Sequence, residues 1–366
     1  MTRKGYYPCL RCGEIVKMSD VLFTNDATQR GSYWKKIGKR YAAFQFLDDS
    51  AAPDAPRVKK TASRYGWDYS LTLSDGTTAS IRVCPQCRKV ISSATHIGMT
   101  DTALILLTGL PGSGKTAFCK FIESTTASAE LQRWGYRIQG GGGGASTVRL
   151  VTTQIGNISV HEFHCQDRTV ALIDTAGELI KADGAEGELP AEAQKLLANL
   201  GSLGDALDGV ITIYDQRSLT QNIVKRPDAV TYQDLGSELI FNLNHSGRHE
   251  RHRMVMAIYN KSDLLRGSLN ADAAPYITRS SPLFTTVSAG RSERAKHMAL
   301  AEQFIMSATR GGLLGTPPTA SFVVSLGQPM PNPMGTLNFD VSRQVNAVLP
   351  LTYLLEAVGC KRREML

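Results

Sequence analysis

The sequence predicts an α/β fold: a doubly wound, mainly parallel sheet, preceded by a small β-rich module that carries paired cysteines. Three observations predict it. From Asp101 onward, short apolar strands alternate with helix-period segments, and such alternation calls for a parallel sheet covered on both faces. The apolar run Ala103–Thr108 leads directly into a glycine-rich turn and then a helix beginning at Lys115. Residues 1–98 form a different block, basic, flanked by two Cys-x-x-Cys pairs and poor in long helical patterns.

Within the first block, Tyr69–Leu73 and Thr77–Val83 alternate around Ser74-Asp75-Gly76, which is a hairpin signal whose second strand delivers the second cysteine pair. Ser50–Pro56 reads as a loop. In the second block, residues 101–366, a helix is expected over Lys115–Thr126 and irregular chain over Ser128–Gly144, which ends in five glycines. Strands are expected at Thr147–Thr153, Ile158–Cys165, Thr169–Asp174, Gly209–Tyr214, Arg253–Tyr259 and Ala320–Ser325. Helices are expected at Ala191–Leu207, Tyr232–Asn244, Ser292–Thr309 and Gln344–Val358, with an excursion over Leu264–Pro282 and a loop over Gly327–Gly335.

The chain has 366 residues, which suits about two domains. No apolar stretch approaches the ~18 residues of a membrane span, and the first residues lack a secretory pattern. The tail does not place Cys360 for prenylation, so a cytoplasmic protein is expected. The formal net charge is +8; residues 1–98 hold 16 Lys/Arg against 8 Asp/Glu, and the rest hold 25 of each. The whole excess therefore lies in the N-terminal module. It fits an acidic partner such as nucleic acid, anionic lipid or an acidic protein, or equally a solvated surface.

Gly109-Leu110-Pro111-Gly112-Ser113-Gly114-Lys115-Thr116 matches the phosphate-loop pattern Gly-x-x-x-x-Gly-Lys-Ser/Thr. Its glycines let backbone N–H groups turn inward around phosphate oxygens, and the helix N-terminus, running on through Ala117, faces the anion. Lys115 is expected to reach the β- and γ-phosphates, and Thr116 to offer its hydroxyl to Mg²⁺. Asp174-Thr175-Ala176-Gly177 follows a buried strand, which places Asp174 for Mg²⁺ and the Gly177 N–H for a γ-phosphate. Asn260-Lys261-Ser262-Asp263 ends a later strand. Asp263 can accept from the ring N–H and exocyclic amine of guanine, a donor pair that adenine lacks. The stem of Lys261 can lie along the base, and Asn260 can tie this loop to the phosphate loop.

In that order, GLPGSGKT, DTAG and NKSD resemble the signature of the translation-factor-related and Ras-like P-loop GTPases, over roughly residues 101–359. The resemblance implies a Ras-like sheet, binding of GTP or GDP with Mg²⁺, GTP hydrolysis, and switch loops that sense the γ-phosphate and engage a protein effector. The N-terminal Cys-x-x-Cys module, the long insertions and a Val-Val-Ser-Leu-Gly strand end look most like the bacterial double-GTPase, conflict-system-associated branch. Two departures stand out. A Ras-like enzyme has Gln after Asp-Thr-Ala-Gly to orient water, whereas this chain has Glu178, whose carboxylate a phosphate repels. Hydrolysis is therefore expected to be slow or partner-dependent, and a non-hydrolysing scaffold is the alternative. No switch threonine is plain either: Thr147, Thr152 and Thr153 are candidates for Mg²⁺, with Thr147 favoured because it follows the Gly140–Gly144 run.

The fifth GTPase motif, a backbone-donor loop near the guanine oxygen, is either Ser325-Leu326 or Ser288-Ala289. A parallel crossover needs an intervening helix, and Ser292–Thr309 is a better helix than Leu264–Pro282, which favours Ser325 and Leu326.

Of seven cysteines, Cys9, Cys12, Cys84 and Cys87 form two knuckles, and four thiolates complete a tetrahedral, closed and hence structural zinc site of zinc-ribbon or treble-clef type. The gap of roughly 70 residues between the pairs exceeds the usual ribbon spacing, and redox chemistry is the competing reading. Tyr33-Trp34-Lys35-Lys36 and Lys39-Arg40-Tyr41 interleave base and aromatic, which suits nucleic acid or an ordinary small-domain core and surface, and makes a nucleotide-regulated nucleic-acid adaptor a third functional reading.

Overall fold

The computed structural model describes residues 4–24, 33–37, 40–45, 48–52, 57–60, 69–72, 78–79, 81–92, 95–98, 100–109, 112–139, 150–155, 158–165, 168–175, 206–215, 254–261, 320–327, 329–330, 338–344 and 346–360. In the N-terminal module, β1 (Tyr6–Pro8) pairs antiparallel with β2 (Ile15–Lys17). A second sheet has the order β11-β10-β3-β4-β5-β6, formed by β3 (Leu22–Thr24), β4 (Tyr33–Ile37), β5 (Arg40–Gln45), β6 (Asp48–Ala52), β10 (Ile81–Val83) and β11 (Val90–Ile91). A third joins β7 (Arg57–Lys60), β8 (Tyr69–Thr72) and β9 (Thr78–Ala79).

Two expectations for this module change. The hairpin around Ser74–Gly76 is present, since Leu71 pairs with Ala79 and Thr72 with Thr78. Its second arm does not continue to Val83, because Ile81–Val83 leaves for a different sheet and pairs with β3 and β11. Ser50–Ala52, read as loop, extends as part of β6 against β5.

The main sheet contains β12 (Asp101–Gly109), β13 (Ile138–Gln139), β14 (Val151–Ile155), β15 (Ile158–Cys165), β16 (Arg168–Thr175), β17 (Gly209–Asp215), β18 (Met254–Asn260) and β19 (Ala320–Val323). Its order is β13-β15-β16-β12-β17-β18-β19, with β14 beside β15. The pairings β16-β12-β17-β18-β19 are all parallel, and β13, β14 and β16 pair antiparallel with β15. This is the mainly parallel sheet the strand–helix alternation requires. β12 shows why: Leu104, Leu106, Ile105 and Leu107 are all fully buried, so both faces of that strand are covered. On its other side from β17, β18 pairs parallel with β19, with Met256 opposite Ala320.

On one face lie α1 (Lys115–Ile122), α2 (Thr125–Arg133) and α3 (Leu349–Ala357). α1 buries Lys115, Phe118, Cys119 and Ile122, a stripe of helical spacing, and its apolar members share a core with Ile105, Leu107, Phe163 and Leu172. The sequence reading of one helix to Thr126 and then irregular chain is corrected here: α1 stops at Ile122 and α2 runs to Arg133. Ser124 makes the break, accepting the Ala127 N–H at 3.1 Å as an N-cap and donating to the Phe121 carbonyl at 2.6 Å. The closing helix is shorter than Gln344–Val358, beginning at Leu349. It ends in a left-handed Gly359, φ 74°, whose N–H and that of Cys360 return to Glu356 and Leu355. The loop expected over Gly327–Gly335 contains β20 (Pro329–Met330), paired with β21 (Asn338–Phe339). The helices expected at Tyr232–Asn244 and Ser292–Thr309, and Ala191–Leu207 up to residue 205, lie outside the described residues. Among the described residues no helix is long and apolar enough to cross a membrane.

The opposite face is where the two blocks meet. Leu104, Leu106, Ile158, Val160, Ala171 and Ile173 of the sheet form one continuous core with Tyr7, Leu10, Val16, Met18, Ile91 and Ile97 of the module. The compositional border between residues 98 and 101 is thus no border in packing.

Candidate functional site

The phosphate-loop segment is shaped by two glycines that no other residue could replace without displacement. Gly109 has φ 146°, and a Cβ there would overlap the Ile213 carbonyl. Gly114 has φ 108°, and a Cβ there would overlap the Asn260 amide. Gly114 is also the N-cap of α1, so the turn hands directly to the helix. Gly112, φ 78°, is open on its side-chain side, with nothing within 4 Å of a would-be Cβ.

Two of the described candidate residues, Asn260 and Lys261, meet this turn directly. Asn260, 4% exposed at the end of β18, donates from Nδ2 to the Ser113 carbonyl at 3.1 Å and accepts the Lys261 N–H at 2.8 Å. Lys261, at φ 67°, donates from Nζ to the Gly112 carbonyl at 2.6 Å. The strand-end tetrapeptide and the glycine turn are therefore strapped together across 147 residues of sequence. Parallel pairing of β12, β17 and β18 puts both at the same edge of the sheet.

Lys115 is buried and donates from Nζ to the Gly109 carbonyl at 2.6 Å. Burial lowers its pKa, against the opposing pull of Asp174. Asp174, at the end of β16, is raised to about 6 by burial, with Lys115 opposing. Its Oδ1 is buried without a hydrogen-bond partner among the described residues, and so is Ser113 Oγ. Unsatisfied buried oxygens in a native fold mark places where an ion, water or ligand belongs. Thr116 is exposed, Ala117 half-buried. Ser325 and Leu326 are buried just after β19, with Ser325 Oγ accepting the Gly327 N–H at 3.3 Å. Leu110, Pro111, Thr147, Gly177, Glu178, Asp263 and Ser288 lie outside the described residues.

The second cluster is the four cysteines. Strand pairing closes the long sequence gap: β3 and β10 run antiparallel, with Leu22 opposite Val83, so Cys84 arrives beside the first knuckle. The two knuckles repeat one backbone pattern. Gly13 N–H returns to the Cys9 carbonyl at 2.7 Å, and Arg88 N–H to the Cys84 carbonyl at 2.9 Å. Both closing residues are left-handed, Gly13 at φ 81° and Arg88 at φ 59°. The four sulfurs lie within 4.8 Å of one another, with Cys9–Cys87 at 3.6 Å and Cys12–Cys84 at 3.9 Å. A tetrahedron with metal–sulfur bonds of about 2.3 Å has sulfur–sulfur edges of about 3.8 Å, so this set fits zinc. Proton sharing with Cys9 holds the Cys84 thiol at about 5 and pushes Cys9 up. None of the seven cysteines forms a disulfide.

Sequence reading missed a polar knot between module and sheet. Glu162 of β15, 1% exposed, accepts Thr95 Oγ1–H and the His96 N–H, each at 2.6 Å. Burial raises its pKa to about 7, with those hydrogen bonds opposing. The available signal was strand alternation: Ile158, Val160 and Glu162 share one face, and a carboxylate on an apolar face needs partners.

No family model and no curated protein matches the chain. Solved structures do. Nucleolar GTP-binding protein 1 of Plasmodium falciparum is similar at 13% identity and a TM-score of 0.31, over 71% of this chain and 87% of that one. The Arl6 BBS3 small GTPase of Trypanosoma brucei, bound to the analogue GppNp, is similar at 14% and 0.31, over 70% and 98%. Translation elongation factor SelB of Methanococcus maripaludis, in complex with the GTP analogue GppNHp, is similar at 13% and 0.31, over 73% of this chain but 35% of that one.

Proposed function

We propose that the chain is a guanine-nucleotide-binding P-loop protein that hydrolyses GTP to GDP and phosphate with Mg²⁺, slowly or in response to a partner. The observation that carries this reading is the strap from Asn260 and Lys261 to the carbonyls of Ser113 and Gly112. It joins a phosphate-binding turn to the segment whose next acidic residue, Asp263, suits guanine. In this reading the N–H groups from Gly109 to Ala117, including those of Leu110 and Pro111's neighbours, face phosphate oxygens. Lys115 holds the β- and γ-phosphates, and Ser325 and Leu326 border the guanine oxygen.

Mg²⁺ suits the donor set of Thr116 hydroxyl and Asp174 carboxylate, whose Oδ1 is buried and unsatisfied among the described residues. Thr147 would join them. When bound, the ion would neutralise phosphate charge. Gly177 would offer its N–H to the γ-phosphate. Glu178 replaces the residue that would orient water, which is why turnover is expected to be slow. The four cysteines are read as a structural zinc site: zinc supplies cross-linking there, and no protein position is left open for chemistry.

Fluorescent GDP, competed by GTP, GDP and ATP, tests the base reading on wild type and Asp263→Asn. Competition by guanine nucleotides alone, weakened by the substitution, supports it, and phosphate release with Mg²⁺ then gives the turnover. Equal competition by ATP would leave a general P-loop protein.

A further inference from the structure

We propose a second metal site, for a thiophilic divalent ion such as Zn²⁺ or Co²⁺, formed by Cys119, His161 and Asp174 under the phosphate loop. The juxtaposition comes from three elements. Cys119 lies one helical turn beyond Lys115 on the face of α1 that meets the sheet. In the antiparallel pair β15–β16, Ser159 stands opposite Asp174 and His161 opposite Leu172. His161 and Asp174 are therefore diagonal neighbours on the same face, the one α1 covers. Their ligand atoms and the Cys119 sulfur all lie within 4.8 Å of one another.

The chemistry of the set is that of a three-ligand zinc site. A tetrahedral ion with bonds of about 2.0–2.3 Å wants ligand atoms about 3.3–3.8 Å apart, and these three lie within 4.8 Å of one another. One sulfur, one imidazole and one carboxylate select a borderline or soft metal over Mg²⁺, which prefers oxygen. Two further observations support it. The Asp174 Oδ1 is buried with no partner among the described residues. His161 Nδ1 is 3.0 Å from Thr152 Oγ1, opposite it on β14, so the ring is oriented and Nε2 is left to ligate. Three protein ligands leave a fourth position for water. Asp174 is shared with the Mg²⁺ position above, and the Lys115 ammonium beside it opposes a second cation there, so tight binding is expected in nucleotide-free protein. The site itself does not depend on the guanine reading.

The test is Co²⁺ titration of the full-length, nucleotide-free chain whose four-cysteine site is already filled with zinc, monitored by absorption and by metal content. The expected result is one cobalt bound beyond the zinc, with visible d–d bands and a near-ultraviolet thiolate-to-cobalt band. Cys119→Ser should abolish the thiolate band. His161→Gln should weaken binding by at least ~10-fold, and Thr152→Val by about 10-fold through loss of the ring's anchor. His161 is only half-buried, so His161→Gln keeps the test sound should the core substitution at Cys119 impair folding. No cobalt beyond the zinc site in wild type, or an unchanged thiolate band and affinity in folded variants, would overturn the proposal.

Discussion

At Gly114 the glycine turn meets the end of β18 so closely that a Cβ would overlap the Asn260 amide. Gly112 lies two residues away with the same left-handed sign of φ but open space beside it. This difference makes a paired prediction. Gly112→Ala should lower stability by about 1 kcal/mol, the conformational cost of a left-handed residue. Gly114→Ala carries that cost and must also push Asn260 off the Ser113 carbonyl, so it should lose about 2–4 kcal/mol and abolish nucleotide binding. Urea unfolding of the two variants decides it: equal losses would mean that Asn260 yields freely. Asn260→Ala removes the Asn260 bond of the strap while leaving both glycines and Lys261 intact. It should cost about 1–3 kcal/mol, because it strands a buried carbonyl, and should weaken nucleotide affinity in calorimetric titration.

Ser124 shows the same economy at the scale of an element. One hydroxyl ends α1 and starts α2, and its replacement by Ala should cost about 1–2 kcal/mol in thermal unfolding. A loss within a few tenths would mean the break is made by packing instead. The element scale is also where the sequence was partly legible. The strands of the main sheet were readable because burial on both faces leaves near-continuous apolar runs, as in Leu104–Leu107. Of their order, one adjacency near the site was argued: the need for a crossover helix favoured the strand before Ser325 as the one following β18, and β19 lies parallel beside it. The α1–α2 break was not read, because Ser124-Thr125-Thr126 sits inside a stretch whose polar and apolar residues still suit a helix period. Nor was the departure of Ile81–Val83 from its hairpin, because alternation gives a strand's faces and leaves its neighbours open. At the site, the residues that hold the turn together were legible as motifs. Cys119 and His161 were not, because each is a lone residue in sequence and only the packing of α1 on β15 and β16 unites them.

On the scale of the whole molecule, the cysteine module and the main sheet bury a common core. Removal of zinc by a strong chelator should therefore lower the melting temperature of the sheet together with the module, in one transition followed by both tryptophan fluorescence and far-ultraviolet circular dichroism. Two separate transitions would mean that the shared core adds little to either part. The knot at Glu162 makes this contact sensitive to pH. The carboxyl has a pKa of about 7 in the fold against an ordinary 4.5, so the folded protein holds the proton more tightly than the unfolded chain. Its contribution to stability is fully present below pH 4.5 and is lost as pH rises through about 7. The size is up to about 3 kcal/mol at 1.36 kcal/mol per unit. His164 opposes it: burial holds that imidazole near 4, so its share is lost as pH falls from 6.5 through 4. Comparing wild type with Glu162→Gln cancels His164, which titrates in both. The amide keeps an acceptor for Thr95 or His96 but takes no proton in this range, and Glu162 points to the face opposite His161 and Asp174, away from the second metal site. Relative to wild type, the variant should gain stability between pH 4.5 and pH 8 by up to about 3 kcal/mol, read from urea unfolding at each pH. A constant difference across that window would mean that Glu162 is charged in the fold throughout, held by Arg82 and the two hydrogen bonds in place of a proton.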